Sequence, residues 1–139
     1  MKVRLLLARY AEVQGGTLLG VGIGWAEIGP DPSPFSIAAL VEVPWDETNH
    51  RHRLEFIILD ADGQPFRVST PTGDQPFQVA VDFDVGRPPG VSPGRSFTMP
   101  VAINIAPLPL LPGREYVVRA LINGALHDEA TITVRPAAA

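Results

Sequence analysis

The sequence predicts an all-β protein in which two sheets pack as a sandwich of about eight or nine mostly antiparallel strands. Apolar residues alternate with polar ones or run together for short stretches, and no convincing amphipathic helix is found. The 15 prolines and 13 glycines lie between these stretches, where they mark turns. The third observation is a tyrosine, Tyr116, which opens a predicted strand directly after a turn at Pro112–Gly113.

Four strands are predicted in the N-terminal half, at residues 2–12, 17–28, 35–43 and 52–60. A turn at Gln14–Gly16 joins the first two. The segment Gly29–Pro34 separates them from the third, because its alternating prolines can neither continue a strand interior nor start a long helix. The third strand is apolar at every other position from Phe35 to Val43, and the fourth alternates in the same way.

Five strands are predicted in the C-terminal half, at residues 65–70, 77–85, 97–105, 114–122 and 126–135. The turn Asp60–Gly63 precedes them, and it lacks the later ligands of a calcium loop. Residues 77–85 show the clearest alternation in the chain. Pro100 weakens its strand or places it at a sheet edge, because proline has no N–H to donate. The last two strands are expected to pair through Asn123–Gly124, a strong hairpin signal.

Length and composition indicate one domain over residues 1–136, followed by a short alanine tail at 137–139. A chain of 139 residues is long enough to fold without covalent crosslinks. It contains no cysteine, which excludes disulfides and thiolate chemistry. The apolar run Leu5–Ala8 is too short for a signal peptide, and no run is long enough to span a membrane. The net charge of −4 argues against a nucleic-acid partner. We therefore expect a cytoplasmic protein.

The segment Leu111–Ala120 has the pattern of a tyrosine corner, in which a tyrosine ties the turn before its strand to the strand itself. In this respect it resembles fibronectin type III and related immunoglobulin-like domains. The resemblance implies an immunoglobulin-like sandwich, with the Tyr116 hydroxyl expected to donate to the backbone a few residues upstream. This fold implies no particular chemistry.

A second resemblance spans most of the chain. The sequence resembles an uncharacterised bacterial family, recorded as a domain of unknown function, whose members carry an LLAD…dGKL…lGGGW opening, a VPWdetn loop, a DxDG turn and a closing pGrYewrl.idG. Arg9 and Thr17 depart from that pattern, which usually has an acidic residue and a lysine there. The resemblance carries no activity with it. The matching segments are Leu5–Gly22, Val43–Asn49, Asp60–Gly63 and Pro112–Tyr116.

Three alternating glycines, Gly20, Gly22 and Gly24, form the first candidate site. In a strand they would point to one face and allow close approach of another backbone, an aromatic ring or a ligand. The alternatives are tight packing within the domain, a subunit interface and a ligand site. Their spacing differs from that of a dinucleotide-binding loop, and no helix follows them.

The polar stretch that follows the third strand forms the second candidate site. Its interaction candidates are Trp45, Asp46, Glu47, His50 and His52. Two histidines with a nearby carboxylate could complete a divalent-metal site, although the spacing matches no metal motif. The alternatives are a solvated loop anchored by the tryptophan and a contact with a partner. We predict no metal ligand and no cofactor.

The sequence contains no recognisable catalytic constellation, and no catalytic residue is predicted. It has no GxSxG elbow, and its three histidines lack a recognisable spacing to a serine or carboxylate. We expect a non-enzymatic structural or protein-interaction module whose partner is a second copy of itself or a co-encoded protein. One alternative is a small-molecule or glycan-binding sandwich that uses Trp25 or Trp45. Another is a metal-dependent hydrolase centred on His50, His52 and Asp46.

Overall fold

Twelve strands and one short 3-10 turn make up the ordered framework of the computed structural model, which describes residues 1–138. The predicted tail at 137–139 therefore lies partly outside the described residues. The chain has three more strands than predicted because Arg9 interrupts the first predicted strand, the second is split by the turn after Val21, and the predicted strand at 65–70 pairs with an additional strand at 73–76. The strands are β1 (Lys2–Ala8), β2 (Tyr10–Gln14), β3 (Thr17–Val21), β4 (Glu27–Ile28), β5 (Phe35–Val43), β6 (Arg51–Asp60), β7 (Arg67–Thr70), β8 (Gly73–Pro76), β9 (Gln78–Asp84), β10 (Phe97–Ile105), β11 (Glu115–Ile122) and β12 (Ala125–Val134).

Two packed sheets form the sandwich. One has the order β1-β5-β10, the other has the order β4-β12-β11-β6-β9, and every pair except β4–β12 is antiparallel. In chain order, the seven long strands occupy the A, B, C, C′, E, F and G positions of an immunoglobulin-like sandwich, with A-B-E in one sheet and C′-C-F-G in the other. The predicted fold class is confirmed.

The core lies between the two sheets, where the alternating apolar positions predicted from the sequence meet. The inward residues of β5 from Phe35 to Val43 are at most 3% exposed, and Phe56 of β6 is fully buried opposite them. The prediction that Pro100 marks an edge is also confirmed, because β10 is an edge strand of the three-stranded sheet.

The tyrosine corner is present between β10 and β11. Tyr116 is 3% exposed and packs edge-on against Phe66, with ring centroids 5.5 Å apart. The N–H of Leu111 donates to the Tyr116 hydroxyl oxygen at 2.9 Å. The expected direction of this hydrogen bond is therefore wrong. The hydroxyl accepts here because it meets an N–H of the proline-rich connection rather than a carbonyl.

The β2–β3 hairpin lies outside the sandwich, against the outer face of the three-stranded sheet. Its turn, Gly15–Gly16, has φ values of 55° and 75°, as a two-residue type I′ hairpin turn requires. Ala11 packs on Ala38 in a small apolar cluster separate from the main core. Ser36 Oγ accepts from the Ala11 N–H at 3.1 Å, and Asn104 Nδ2 donates to the Ala11 carbonyl at 3.2 Å. These bonds fix β2 to the sheet below it.

The β11–β12 hairpin turns at Asn123–Gly124, as predicted, with both φ values positive. The register shifts two residues beyond the turn, and this irregularity leaves His127 without a partner position between Leu126 and Asp128. The Asp128 carboxylate reaches across to β1 and accepts from the Leu5 N–H at 2.8 Å. The first and last long strands are therefore tied together where the two sheets meet.

Candidate functional site

The predicted glycine face does not exist, because β3 ends at Val21. Gly22 and Gly24 have φ values of 62° and 87°, in the left-handed region that favours glycine, so they belong to a turn and share no strand face with Gly20. Three backbone hydrogen bonds hold this turn, one of them from the Arg9 N–H to the Gly22 carbonyl at 3.3 Å. The Arg9 N–H donates to the Val21 carbonyl at 3.0 Å, and the Gly24 N–H donates to the Leu7 carbonyl at 2.6 Å.

Two of these glycines make room for side chains of the same chain. A Cβ on Gly20 would lie 2.7 Å from Ile23 Cδ1, and a Cβ on Gly22 would lie 2.7 Å from Arg9 Cγ. Nothing lies within 4 Å of a Cβ on Gly24. The close approach that glycine allows here is therefore an intramolecular one, as in the packing alternative.

Exposed apolar side chains are concentrated on the β2–β3 hairpin and the turn that follows it. Seven large apolar residues are exposed among residues 1–138, and five of them lie between positions 10 and 23. A single exposed apolar side chain is ordinary, whereas a concentration of them marks a contact surface. The five are Tyr10 (48%), Val13 (42%), Leu19 (42%), Val21 (66%) and Ile23 (49%).

Three of these residues share the outward face of the hairpin, and we call them the hairpin patch: Tyr10, Leu19 and Val21. Tyr10 lies directly across from Val21 in the register, and Leu19 lies across from Glu12. Directly opposed residues project to the same side. Because Ala11, on the alternate side, is 1% exposed, the patch faces away from the protein. The sequence prediction missed this surface, since it assigned these apolar residues to an ordinary strand.

The carboxylate of Glu12 contacts the hairpin patch through a hydrogen bond with Tyr10. The Tyr10 hydroxyl donates to Glu12 Oε2 at 3.2 Å. The negative charge of Glu12, together with this hydrogen bond to it, raises the pKa of Tyr10. The tyrosine therefore stays neutral at physiological pH, and the charge beside the hairpin patch is that of Glu12.

The second candidate site is a packed structural cluster around Trp45. Residues Trp45–Glu47 form the 3-10 turn. The Arg87 guanidinium carbon lies 3.9 Å from the centroid of the Trp45 ring, and Phe97 stacks on the same indole with centroids 6.4 Å apart. Arg87 also donates to the Trp45 carbonyl and to Thr48 Oγ1, both at 2.5 Å. This cluster fastens the loop after β9 to the loop after β5.

His52 is a buried part of the same region and is only 8% exposed. Its Nδ1 lies 3.0 Å from Asn123 Nδ2, and its Nε2 lies 2.8 Å from the Glu47 carbonyl. The Asn123 side-chain oxygen accepts from the Arg53 N–H, so its amide nitrogen faces the imidazole and donates to it. The ring is therefore the tautomer that accepts at Nδ1 and donates from Nε2. Both ring nitrogens are in use.

The other members of this candidate site do not join His52. His50 is exposed and precedes β6, which begins at Arg51, so the two histidines do not share a strand face. Asp46 is exposed and Glu47 is half-buried. Within residues 1–138 no three histidine, aspartate or glutamate side chains come together in a way that could hold a metal ion.

A cleft of about 390 Å³ opens beside Trp25, near the turn that follows β3. The Trp25 ring packs edge-on against Phe35, with centroids 5.5 Å apart. Two guanidinium groups line the same cleft, those of Arg9 and Arg135. Arg135 lies 3.9 Å from a carboxylate oxygen of Glu27. Apart from Trp25, no sequence pattern predicts this cleft, because its lining comes from four separate segments.

Together, the fold and the site define a small immunoglobulin-like sandwich domain that carries an exposed apolar hairpin on its outside. The described residues include no helix with the length and apolar character of a membrane span. A model of a family of unknown function, DUF6941, matches residues 4–135. The chain belongs to this family, and the resemblance to an uncharacterised family is confirmed to that extent. Neither a curated protein nor a solved structure gives a significant match.

Proposed function

We propose that this protein is a non-enzymatic cytoplasmic interaction module that associates with a second copy of itself. The observation that carries the proposal is the hairpin patch, Tyr10, Leu19 and Val21, exposed on an element outside the sandwich core. Burial of such side chains between two molecules supplies the apolar driving force of association. The bacterial motif resemblance agrees with a small module of this kind but assigns it no activity.

The absence of ionisable residues along β3 allows a second copy to occupy this surface despite the net negative charge of the protein. The protein carries a net charge of −4, so two copies repel each other at long range. The hairpin patch itself is uncharged, and β3 contains no ionisable residue from Thr17 to Val21. Two copies that meet along β3 therefore bring apolar groups together, with the Glu12 carboxylate of each copy on the far strand of its hairpin.

Leu19→Glu is expected to convert a dimer into a monomer, because it places a carboxylate in the apolar contact. The measurement is the mass of the purified protein by light scattering after gel filtration, over a range of concentrations. Leu126→Glu is the matched control, since Leu126 is 50% exposed but lies on the β11–β12 hairpin. A monomeric wild-type protein, or equal dissociation by both substitutions, would contradict the proposal.

The cleft beside Trp25 favours a second candidate function, the binding of a small molecule that has an apolar part and a carboxylate. The indole offers a face for the apolar part, and Arg9 and Arg135 offer guanidinium donors for the carboxylate. The size of the cleft lies within the range of small-molecule sites.

Benzoate is a suitable probe for this cleft, since it joins a ring to a carboxylate. We expect benzoate to shift the indole N–H resonance of Trp25 in NMR spectra, and Arg9→Gln to weaken the binding about tenfold through the loss of one charge-assisted hydrogen bond. Arg95→Gln, in an exposed loop, is the control. An unchanged Trp25 resonance at millimolar benzoate would remove this candidate.

A further inference from the structure

We propose that the second copy docks through the free edge of β3, so that the two β3 strands pair antiparallel about a two-fold axis at Leu19. The inference rests on the proposed self-association and specifies its geometry. The two hairpins would then form one four-stranded sheet across the dimer, in the order β2-β3-β3-β2.

The register of the hairpin identifies which backbone groups of β3 are free. A two-residue turn makes Gln14 and Thr17 a hydrogen-bonded pair. Hydrogen-bonded and non-hydrogen-bonded pairs alternate along an antiparallel ladder, so Leu19 and Val21 also direct their N–H and C=O groups towards β2. Leu18 and Gly20 consequently direct theirs away from β2, to the outer edge.

β2, the other strand of the same hairpin, provides an independent check of this alternation. Ala11 lies opposite Gly20 in a non-hydrogen-bonded pair, so its backbone groups should also point out of the hairpin. They do, since the Ala11 N–H donates to Ser36 Oγ and its carbonyl accepts from Asn104 Nδ2. At Ala11 the β2 edge is thus bound to the sheet below it, whereas the outward groups of Leu18 and Gly20 on β3 have no partner among residues 1–138.

The edges of the two sandwich sheets carry features that discourage pairing between molecules. In β1 the Asp128 carboxylate occupies the Leu5 N–H. β10 contains Pro100, and β4 is only two residues long. β9 carries Asp82 and Asp84. Short strands, proline, charge and covered backbone groups are the usual protections of a sheet edge. β3 has none of these, since its sequence is Thr-Leu-Leu-Gly-Val.

The positions of the free groups determine the register between the two copies. Leu18 and Gly20 are separated by one residue, so an antiparallel copy places Leu18 opposite Gly20 of the second copy, and the reverse. Each of these two pairs can exchange two hydrogen bonds. Leu19 then lies on the two-fold axis, opposite Leu19 of the second copy. Such a contact is isologous and closes the assembly at two chains.

Electrostatics permit this arrangement. Glu12 lies opposite Leu19 in the hairpin, so the two Glu12 side chains of the dimer are three strand spacings apart, about 14 Å. That separation exceeds the screening length of about 8 Å at physiological ionic strength. The two Leu19 side chains then pack side by side across the axis, so the apolar contact between the copies is made between the neighbouring β3 strands.

The absence of cysteine from the sequence allows this register to be tested with a single thiol. Leu19→Cys is expected to form a disulfide-linked dimer on mild oxidation. The two Cα atoms of a non-hydrogen-bonded pair are about 4.5 Å apart, within the range that a disulfide spans. The readout is the fraction of linked dimer against time on a non-reducing gel.

Val21→Cys is the matched control, because Val21 lies on the same strand face and is more exposed than Leu19. In the proposed register the two Val21 residues are offset by four positions, about 13 Å, too far for a disulfide. We expect Leu19→Cys to link at least about tenfold faster than Val21→Cys.

The outcomes separate the two proposals. Comparable linking of both variants, or no linking of Leu19→Cys in a protein that is dimeric, overturns edge pairing and leaves self-association standing. A wild-type protein that is monomeric by light scattering, with neither variant linking, overturns both proposals.

Discussion

His52→Ala is expected to lower the free energy of unfolding by about 2 to 4 kcal/mol. The substitution removes a ring that packs on Phe83 with centroids 5.3 Å apart. It also leaves the Glu47 carbonyl and the Asn123 amide without their partner. Asn123 is exposed and Glu47 is half-buried, so water replaces part of the lost hydrogen bonding, and the lost packing on Phe83 and the lost hydrogen bonds both contribute.

The control for this variant lies two residues away. His50→Ala should change the free energy of unfolding by less than about 0.5 kcal/mol, because His50 is exposed. Both values can be measured by urea unfolding followed by tryptophan fluorescence. Equal losses for the two variants would show that the hydrogen bonds of His52 contribute nothing to stability.

Trp45→Ala is expected to lower the free energy of unfolding by about 2 to 3 kcal/mol, less than for a fully buried tryptophan because Trp45 is half-buried. The loss comprises the stacking on Phe97 and the contact with the Arg87 guanidinium. Circular dichroism during urea unfolding is the suitable measurement, since the substitution removes one of the two tryptophans.

A double-mutant cycle isolates the Trp45–Arg87 contact from the rest of the cluster. Arg87→Ala alone, Trp45→Ala alone and the double variant should give a coupling free energy of about 0.5 to 2 kcal/mol, because the two side chains touch. Strict additivity would mean that the guanidinium contributes only through its hydrogen bonds to the backbone and Thr48.

The sandwich strands were predictable because their signals are local. The limits of β5, Phe35–Val43, coincide with the predicted strand, since an apolar residue stands at every other position and a proline stands directly before and after the strand. Asn123–Gly124 specified a turn that requires two positive φ values. Pro100 indicated an edge because of the hydrogen bond it cannot donate.

The elements outside the sandwich were not predictable in this way. A period of two shows which side chains share a face, but it does not show where a strand leaves its sheet. The run from Lys2 to Glu12 therefore gave no sign that the chain bends at Arg9 and continues into a separate hairpin. In the same way, Gly22 and Gly24 fit an alternating strand pattern although their backbone has already turned.

The candidate site around Trp45 and His52 is held together by contacts between distant segments. The sequence therefore could not predict that these residues form a packed structural cluster. Trp45 and His52 stood out correctly as unusual residues. Their roles depend on Arg87, Phe97 and Asn123, which lie between about 40 and 70 positions further along the chain. No local spacing encodes such contacts, so the sequence could indicate the residues but not their structural use.

The hydrogen bond between Leu5 and Asp128 joins residues 123 positions apart, and this has a consequence for biosynthesis. At a translation rate of about 5 to 20 residues per second, Asp128 is added roughly 6 to 25 seconds after Leu5. Throughout that interval the leucine-rich β1 segment has no carboxylate to occupy this backbone position. The nascent chain therefore completes its sandwich only near the end of synthesis, and until then β5 is the strand available to pair with β1 and cover its backbone groups.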